Sequence, residues 1–218
     1  MAQSKGRSTG SRSDARQAQK QSFSNRSANT RDEIERFLIV CEGKQTEPNY
    51  FRTFRVRREV VTVDIRGEGY NTLSLVTKAV EVRDAARGTA DAYDQVWCVF
   101  DRDSFPAEHF NAAIQYAKSA DVHVAYSNEA FEIWYLLHFH YHDAAMSRQA
   151  YRDKLTQSLE FPYEKNSRTI YEALVKNQKT AIENAKKLHR RYNPHYPEKD
   201  NPCTTIYLLV EELNKYLI

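Results

Sequence analysis

Three carboxylates follow apolar runs of this sequence, at the points where strands of a sheet are expected to end. Glu42-Gly43 follows the run at residues 37–41, and Asp101-Arg102-Asp103 follows the run at residues 96–100. Carboxylates held close together are costly unless a cation neutralises them. Oxygen ligands favour Mg²⁺ or Mn²⁺, which also bind phosphate, and a remaining carboxylate can serve as general acid or base. The spacing therefore predicts a metal-dependent reaction at a phosphate group.

The carboxylates converge only if the strands before them are neighbours in a parallel sheet. Apolar runs at residues 37–41, 60–65, 96–100 and 122–126 predict four strands, and helices are predicted between them and at residues 131–139. Thr46 and Asn71 are predicted to cap the first two helices. In open parallel sheets, ligands bind beyond the carboxyl ends of the strands. The predicted fold class is α/β, with a Rossmannoid, mostly parallel four-stranded sheet and flanking helices.

The second residue after the first strand is a glycine, Gly43. Gly43 is predicted to let the backbone turn sharply while Glu42 faces the cleft. Asp103 has a second possible role, since it could cap the helix that begins near Pro106.

The chain divides into three predicted segments. Residues 1–31 contain seven Lys or Arg residues against a single acid, Asp14, and are predicted to be a basic disordered tail, either solvated or in contact with nucleic acid. Residues 32–140 are predicted to form the catalytic α/β domain. Residues 141–218 are predicted to be a helical extension that packs on the same core.

Composition excludes a membrane protein, because no apolar run is long enough to span a bilayer and no signal peptide is recognisable. The cysteines, Cys41, Cys98 and Cys203, lack metal-ligand spacing and are expected to be reduced core residues. A cytoplasmic protein is therefore expected.

Glu-Gly after the first strand together with Asp-x-Asp after the third resembles a Toprim domain, the catalytic core of topoisomerases, primases and several nucleases. Longer stretches resemble the RloB-like family from about residue 33 onwards. The stretches are CEGKQTEPNYF at 41–51, FDRD at 100–103, SNEAFEIWYLLHF at 127–139 and NPCTT at 201–205.

This resemblance implies a Toprim-like nuclease of bacterial antiphage defence, often encoded beside an AAA/ABC-type ATPase. It implies Glu42 as general acid/base and a further metal contact, with Asp101 and Asp103 as metal ligands. Asn128 and Glu132 are implied as additions to the same site, Glu132 as a metal ligand. The sequence departs from the expected pattern at Glu129, where a small residue or proline would follow Asn128.

Several further residues complete the candidate site. Lys165 is the cation chosen to stabilise charge on a phosphate. Glu47, in the first turn of a predicted helix, and His138, inside a family-like stretch, are the remaining candidates. Two basic clusters are expected to contact a phosphate backbone, one assigned to the first helix (Arg52, Arg55, Arg57 and Arg58) and one to a late helix (Lys176, Lys179, Lys186, Lys187, Arg190 and Arg191).

Three functions are compatible with these residues. The leading hypothesis is a Mg²⁺- or Mn²⁺-dependent phosphodiesterase acting on RNA, transfer RNA included, or on DNA. The second is a non-catalytic nucleic-acid-binding or regulatory subunit of an ATPase complex. The third is a small-molecule phosphohydrolase with Asp101 as nucleophile. The oligomeric state, a homo-oligomer included, is left open.

Overall fold

The apolar runs of the sequence form the strands of a single sheet. The structure, a computed structural model, describes residues 34–67, 69, 71–102, 106–167 and 169–218. Within them the strands are β1 (Glu35–Cys41), β2 (Val61–Gly67), β3 (Gln95–Asp101), β4 (His123–Asn128) and β5 (Cys203–Thr204). Their spatial order is β2-β1-β3-β4-β5; the first four are parallel and β5 runs antiparallel to β4. The predicted α/β class with a mostly parallel sheet is confirmed.

The two strands that end in acids are direct neighbours. Cys41 of β1 lies opposite Val99 of β3, and the backbone N–H of Glu42 donates to the carbonyl of Val99 at 2.8 Å. The carboxyl ends of β1 and β3 therefore meet at the same edge of the sheet, as the sequence predicted.

Helices cover both faces of this sheet. In the described chain they are α1 (Thr46–Arg52), α2 (Thr72–Ala86), α3 (Ala107–Ser119), α4 (Glu132–Leu136), α5 (Arg148–Leu159), α6 (Ile170–Leu174), α7 (Gln178–Arg190) and α8 (Ile206–Asn214), with a 3₁₀ turn at Val175–Asn177. The Asn71 cap is confirmed, since its side chain accepts a hydrogen bond from the backbone N–H of Ser74 at 3.1 Å.

Some element boundaries differ from the predictions. Thr46 does not cap α1, which begins at Thr46 itself; its hydroxyl donates instead to the carbonyl of Lys165 at 3.2 Å. Helix α4 is shorter than predicted because the N–H groups of His138 and Phe139 bond three residues back, which tightens and ends the helix. Of the first basic cluster only Arg52 is helical, because α1 ends there.

The core has one layer on each face of the sheet. Phe37 and Ile39 point into a layer that also contains Trp97, whereas Leu38 and Val40 point into the opposite layer. Burial on both faces is the reason that these strands read as continuous apolar runs. The first layer also contains residues from beyond position 140, namely Leu155, Leu174, Leu188 and Leu213. Residues 34–218 form one compact unit with this shared core.

Two further observations bear on the predictions. Cys41, Cys98 and Cys203 are buried free thiols, and burial raises the pKa of each of them. No helix in the described part of the chain is both long and apolar enough to cross a membrane.

Candidate active site

A cavity of about 480 Å³ opens at the edge of the sheet where β1 and β3 end. It is lined by side chains from the loop after β1, from α1, from the end of β3, and from positions far along the chain. The lining residues are Glu42, Gly43, Lys44, Gln45, Thr46, Glu47, Gly69, Asn71, Asp101, Arg148, Lys165 and Asn166. This set combines carboxylates with cations, which is the composition expected of a site for a metal and a phosphate.

Glu42 is held in the cavity by its backbone and by its side chain. Its carbonyl accepts a hydrogen bond from the N–H of Gly69 at 2.9 Å, and its own N–H donates to β3. Its carboxylate Oε2 accepts a hydrogen bond from the backbone N–H of Asp101 at 3.1 Å. The carboxylate therefore lies at the carboxyl end of β3, beside the second predicted acid.

Asp101 is a mostly buried carboxylate among other carboxylates. Its Oδ1 atom is buried and has no hydrogen-bond partner within the described chain, and its Oδ2 atom lies 3.7 Å from Nη2 of Arg148. Burial raises the pKa of Asp101 well above its ordinary value, and the charges of Glu47, Glu132 and Glu42 raise it further, whereas Arg148 lowers it. Asp101 therefore favours its protonated form until a cation approaches.

Glu47 is the next carboxylate of this group, and it is 6% exposed. Burial raises its pKa from 4.5 to about 7, with further contributions from the charges of Glu132 and Glu42. Its backbone hydrogen bond and the charge of Lys165 oppose this rise. Glu47, which the sequence offered as a candidate in the first turn of a helix, thus belongs to the carboxylate cluster.

Gly43 leaves the space that Glu47 occupies. A Cβ atom at position 43 would lie 2.1 Å from Oε2 of Glu47. The positive-φ glycines in the described chain are Gly69 and Gly88, so Gly43 does not adopt the left-handed conformation. The backbone does bend at residues 42–45, and the space taken by Glu47 adds a steric reason for a glycine at this position.

Glu132, the first residue of α4, is 3% exposed and faces two side chains from the loop after α5. Its Oε1 accepts a hydrogen bond from the hydroxyl of Tyr163 at 3.2 Å and lies 3.9 Å from Nζ of Lys165. The backbone of this loop is tied to α1, because Thr46 donates to the carbonyl of Lys165. Lys165, chosen from the sequence as a cation for the site, thus lines the cavity.

Arg148 is a cavity residue that the sequence reasoning missed. It is the first residue of α5, where its Nη2 donates to the carbonyl of Glu129 at 3.3 Å and approaches Asp101. Ser147 caps the same helix through the N–H of Ala150 at 3.2 Å. Ser147 is a sequence signal for the start of a helix, but nothing in the sequence indicates that this helix start lies near the end of β3.

Other predicted residues lie elsewhere. Asn128 is buried and its amide donates to the carbonyl of Pro197 at 3.4 Å, so it contacts the loop before β5. His138 is 1% exposed, and its Nδ1 hydrogen-bonds with the carbonyl of Trp134 at 2.9 Å. Burial lowers the pKa of His138 to about 4. Neither residue lines the cavity. Asp103 lies outside the described residues.

The chemistry of the cavity fits a hard divalent cation, because its acids offer only oxygen ligands and one of their oxygens, Oδ1 of Asp101, is buried without a hydrogen-bond partner among the described residues. Across the described residues, no three His, Cys, Asp or Glu side chains are arranged to hold a metal ion. In this arrangement Arg148 and Lys165 approach Asp101 and Glu132 instead. Asp103, a predicted ligand, lies outside the described residues, so the statement does not cover it.

The comparisons with known proteins identify one family. A family model described as RloB-like protein matches residues 37–213, which include most of β1, all of β2 to β5 and every residue that lines the cavity. Neither the curated proteins nor the solved structures contain a match.

Proposed function

The chain belongs to the RloB-like protein family, and from this premise we propose that it is a Toprim-type nuclease that hydrolyses phosphodiester bonds with Mg²⁺ or Mn²⁺. The observation that carries the proposal is a cluster of four carboxylates: Glu42, Glu47 and Asp101 line one cavity, and the charge of Glu132 acts on both Glu47 and Asp101. Three cations, Lys44, Arg148 and Lys165, line the same space.

The cluster of acids supports a metal-binding role because it is electrostatically unfavourable by itself. Burial, and after it the repulsion between the carboxylates, raises the pKa values of Glu47 and Asp101. A bound divalent cation would lower these pKa values, because an opposite charge at close range favours the ionised carboxylates. Asp101, Asp103 and Glu132 are the residues proposed to hold the ion, with Glu42 and Glu47 beside them.

Glu42 is proposed as the general acid/base. The N–H of Asp101 fixes its carboxylate at the mouth of β3, where it can take a proton from an attacking water and return one to the leaving oxygen. Mg²⁺ or Mn²⁺, when bound, would polarise the phosphoryl group.

Arg148 and Lys165 are proposed to bind the phosphate. Nη2 of Arg148 lies 3.7 Å from Asp101 and Nζ of Lys165 lies 3.9 Å from Glu132, so both cations are beside the proposed metal ligands. Their side chains are partly exposed to the cavity, so each can turn toward a substrate oxygen. Charge developing on a phosphate is stabilised most by cations that are already in place.

The substrate and the biological role rest on the family. RNA, transfer RNA included, and DNA are both compatible with a phosphodiesterase site of this kind. We propose a role in antiphage defence under the control of an AAA/ABC-type ATPase partner, because a nuclease that is always active would harm its host.

A second candidate function is a non-catalytic nucleic-acid-binding or regulatory subunit of the ATPase complex. It is favoured by the absence, across the described residues, of three side chains arranged to hold a metal. A phosphohydrolase with Asp101 as nucleophile has less support, because such an enzyme would carry its Asp-x-Asp after the first strand, whereas Asp101 ends the third strand along the chain.

The test compares wild type with Glu42→Gln and Asp101→Asn on labelled total transfer RNA and plasmid DNA in Mg²⁺, Mn²⁺ or EDTA. Asp84→Asn, on the surface of α2 and paired with Arg83, is a matched carboxylate control. Cleavage by wild type and the control alone, lost in EDTA, is the expected result.

Other outcomes decide between the alternatives. Equal cleavage by all variants would contradict the site. Binding of labelled nucleic acid without cleavage would favour the regulatory subunit. After incubation with a labelled phosphomonoester, a phosphate on wild type that hydroxylamine releases and that Asp101→Asn lacks would favour the phosphohydrolase.

A further inference from the structure

A second cavity, of about 840 Å³, shares no residue with the candidate active site. We call it the arginine-rimmed groove. It lies beside β2 and between the segment after α1, helix α6 and the residues that follow α8. Its lining consists of Phe51, Arg52, Thr53, Phe54, Arg55, Val56, Arg58, Val63, Ile65, Tyr171, Glu172, Val175, Leu213, Leu217 and Ile218.

The groove has an apolar floor that water can reach. Val63 and Ile65 of β2 and Leu217 are half-buried, and Val175 is 41% exposed. Apolar residues gathered in one concave surface of this size are uncommon unless they bind something.

The groove also lies at the edge of the sheet. In the described chain β2 pairs with β1 on one side only, and Nη2 of Arg52 donates to the carbonyl of Ile65 at 3.2 Å. An antiparallel bridge between Val56 and Leu217 forms one wall. Because Arg52 covers a carbonyl of the free edge, the groove is better suited to side chains than to another strand.

The rim carries a positive charge that the described chain leaves unbalanced. Arg52, Arg55 and Arg58 are exposed, and no carboxylate among the described residues forms an ion pair with them. Glu172 is the acid among the lining residues. The groove thus combines an apolar floor with a net positive rim.

We propose that the arginine-rimmed groove binds an acidic amphipathic α-helix of a partner protein. Apolar side chains at spacings of three and four residues would fill the floor, and carboxylates at the borders of that apolar face would pair with Arg55 and Arg58. Complementary charge at the rim would select the partner and speed its association.

The charges disfavour two other occupants. Residues 1–31 of this chain carry seven Lys or Arg residues against one acid, so they would meet the rim with like charge. The phosphates of a nucleic acid would pair with the arginines but would gain nothing from contact with the valine, isoleucine and leucine side chains of the floor.

The test uses a fluorescein-labelled helical peptide with leucines at i, i+3, i+4 and i+7 flanked by glutamates, and the same peptide with lysines in place of the glutamates. Fluorescence anisotropy measures the binding of both to wild type, Val175→Asp and Arg55→Glu/Arg58→Glu. Leu73→Asp is the matched apolar control, since Leu73 is 40% exposed on α2, and Arg87→Glu is the charge control.

Wild type is expected to bind the acidic peptide in preference to the basic one. The double arginine variant should weaken this binding about tenfold and reverse the preference, because two exposed charge pairs are lost and replaced by repulsion. Val175→Asp should weaken it about fivefold through the lost apolar contact. The two controls should bind as wild type does.

Three results would overturn the proposal. The first is no binding of the acidic peptide, or binding that the groove variants and the controls weaken equally. The second is self-association in sedimentation that Val175→Asp abolishes, which would make a second copy the occupant. The third is binding of single-stranded RNA that the arginine variant loses and Val175→Asp retains, which would make the rim a nucleic-acid site.

Discussion

Arg148 illustrates how one side chain can serve two partners in succession. Its guanidinium approaches Asp101 in the structure and, in the proposed reaction, turns to the phosphate. Arg148→Gln is expected to lower the cleavage rate about 100-fold, as loss of a charge-stabilising donor does. The same variant is expected to bind Mn²⁺ a few-fold more tightly in calorimetry, because a competing positive charge is removed from Asp101.

The matched variant for this experiment is Arg87→Gln, whose side chain is exposed and pairs with Asp84 at the far end of α2. It should change neither the rate nor the affinity. Weaker Mn²⁺ binding by Arg148→Gln would contradict the view that the arginine and the metal compete.

Gly43 is expected to matter for the site and little for the stability of the fold. In Gly43→Ala the new Cβ atom would collide with the carboxylate of Glu47, the far end of a flexible side chain that can move away. We expect the free energy of unfolding to change by less than about 1 kcal/mol, whereas metal binding and cleavage fall about tenfold or more.

Gly88→Ala provides the opposite pattern for comparison. Gly88 has a φ of 78° and no atom within 4 Å of an added Cβ, so the substitution strains the backbone by about 1–2 kcal/mol without touching the site. If both glycine variants lost stability and activity in parallel, the steric account of Gly43 would be wrong.

Glu47 makes the stability of the metal-free protein depend on pH. A carboxyl whose pKa rises from 4.5 to about 7 on folding prefers its protonated form in the native state. Its contribution therefore becomes less favourable as the pH rises from 4.5 to 7, by roughly 3 kcal/mol in total. Glu47→Gln, which stays neutral, should be more stable than wild type at pH 8 in EDTA and close to it at pH 5.

Urea unfolding at the two pH values measures this difference. The comparison between variants is needed because His138, whose pKa is lowered to about 4, makes the protein less stable as the pH falls from 6.5 to 4. A difference between Glu47→Gln and wild type that does not vary with pH would contradict the raised pKa.

The sequence identifies single residues best where they follow a strand. Glu42 and Asp101 could be placed together because parallel strands that end in acids share one edge. Arg148 could not be predicted, because it reaches the site through the packing of α5, which leaves no spacing rule between it and Asp101. The location of His138 in the core, away from the cavity, likewise depends on how α4 packs.

At the scale of elements, the attachment of the loop after α5 to α1 positions Lys165. The hydroxyl of Thr46 holds the carbonyl of Lys165, and the amide of Asn49 reaches the carbonyl of Asn166 at 3.5 Å. Thr46→Val keeps the shape of the side chain and removes this hydrogen bond, so we expect a loss of about 1 kcal/mol in stability and about fivefold in cleavage rate.

Thr77→Val is the matched control for this variant. The hydroxyl of Thr77 also donates to a backbone carbonyl, that of Leu73 at 3.1 Å, but it does so on α2. It should affect cleavage little. Equal effects of the two threonine variants on cleavage would mean that the contact between α1 and the loop does not position Lys165.

Elements are predictable where periodicity is long enough to read. The four parallel strands were predicted to within about two residues at each end, because strands that are buried on both faces have continuous apolar sequences. Strand β5 was missed because it contains two residues and pairs through Ser127 and Asn128 of β4, a long-range contact. Thr205 anchors it by donating its N–H to the carbonyl of Tyr126 at 2.8 Å.

The whole described molecule shares one sheet between its two core layers. Leu188 of α7 lies in one layer and Leu75 of α2 in the other, and both are fully buried. Replacement of either by alanine is expected to cost about 2–5 kcal/mol. Because both layers pack on the same strands, each variant should shift a single unfolding transition, followed by circular dichroism and by the fluorescence of Trp97 and Trp134.

An early, separate transition in Leu188→Ala alone would contradict this expectation. It would show that residues 141–218 unfold by themselves, as an independent domain would. Conversely, a single transition would mean that the boundary predicted at residue 140 does not divide the fold.

The order of the cavity residues along the chain has a consequence for the protein's synthesis. A ribosome completes Glu42, Glu47 and Asp101 first, and reaches Arg148 and Lys165 only after a delay on the order of seconds. An unfinished chain therefore carries the acids of the site without the cations proposed to hold a phosphate. We expect ribosome-bound fragments to be inert, so that translation itself sets the earliest moment at which this molecule can act.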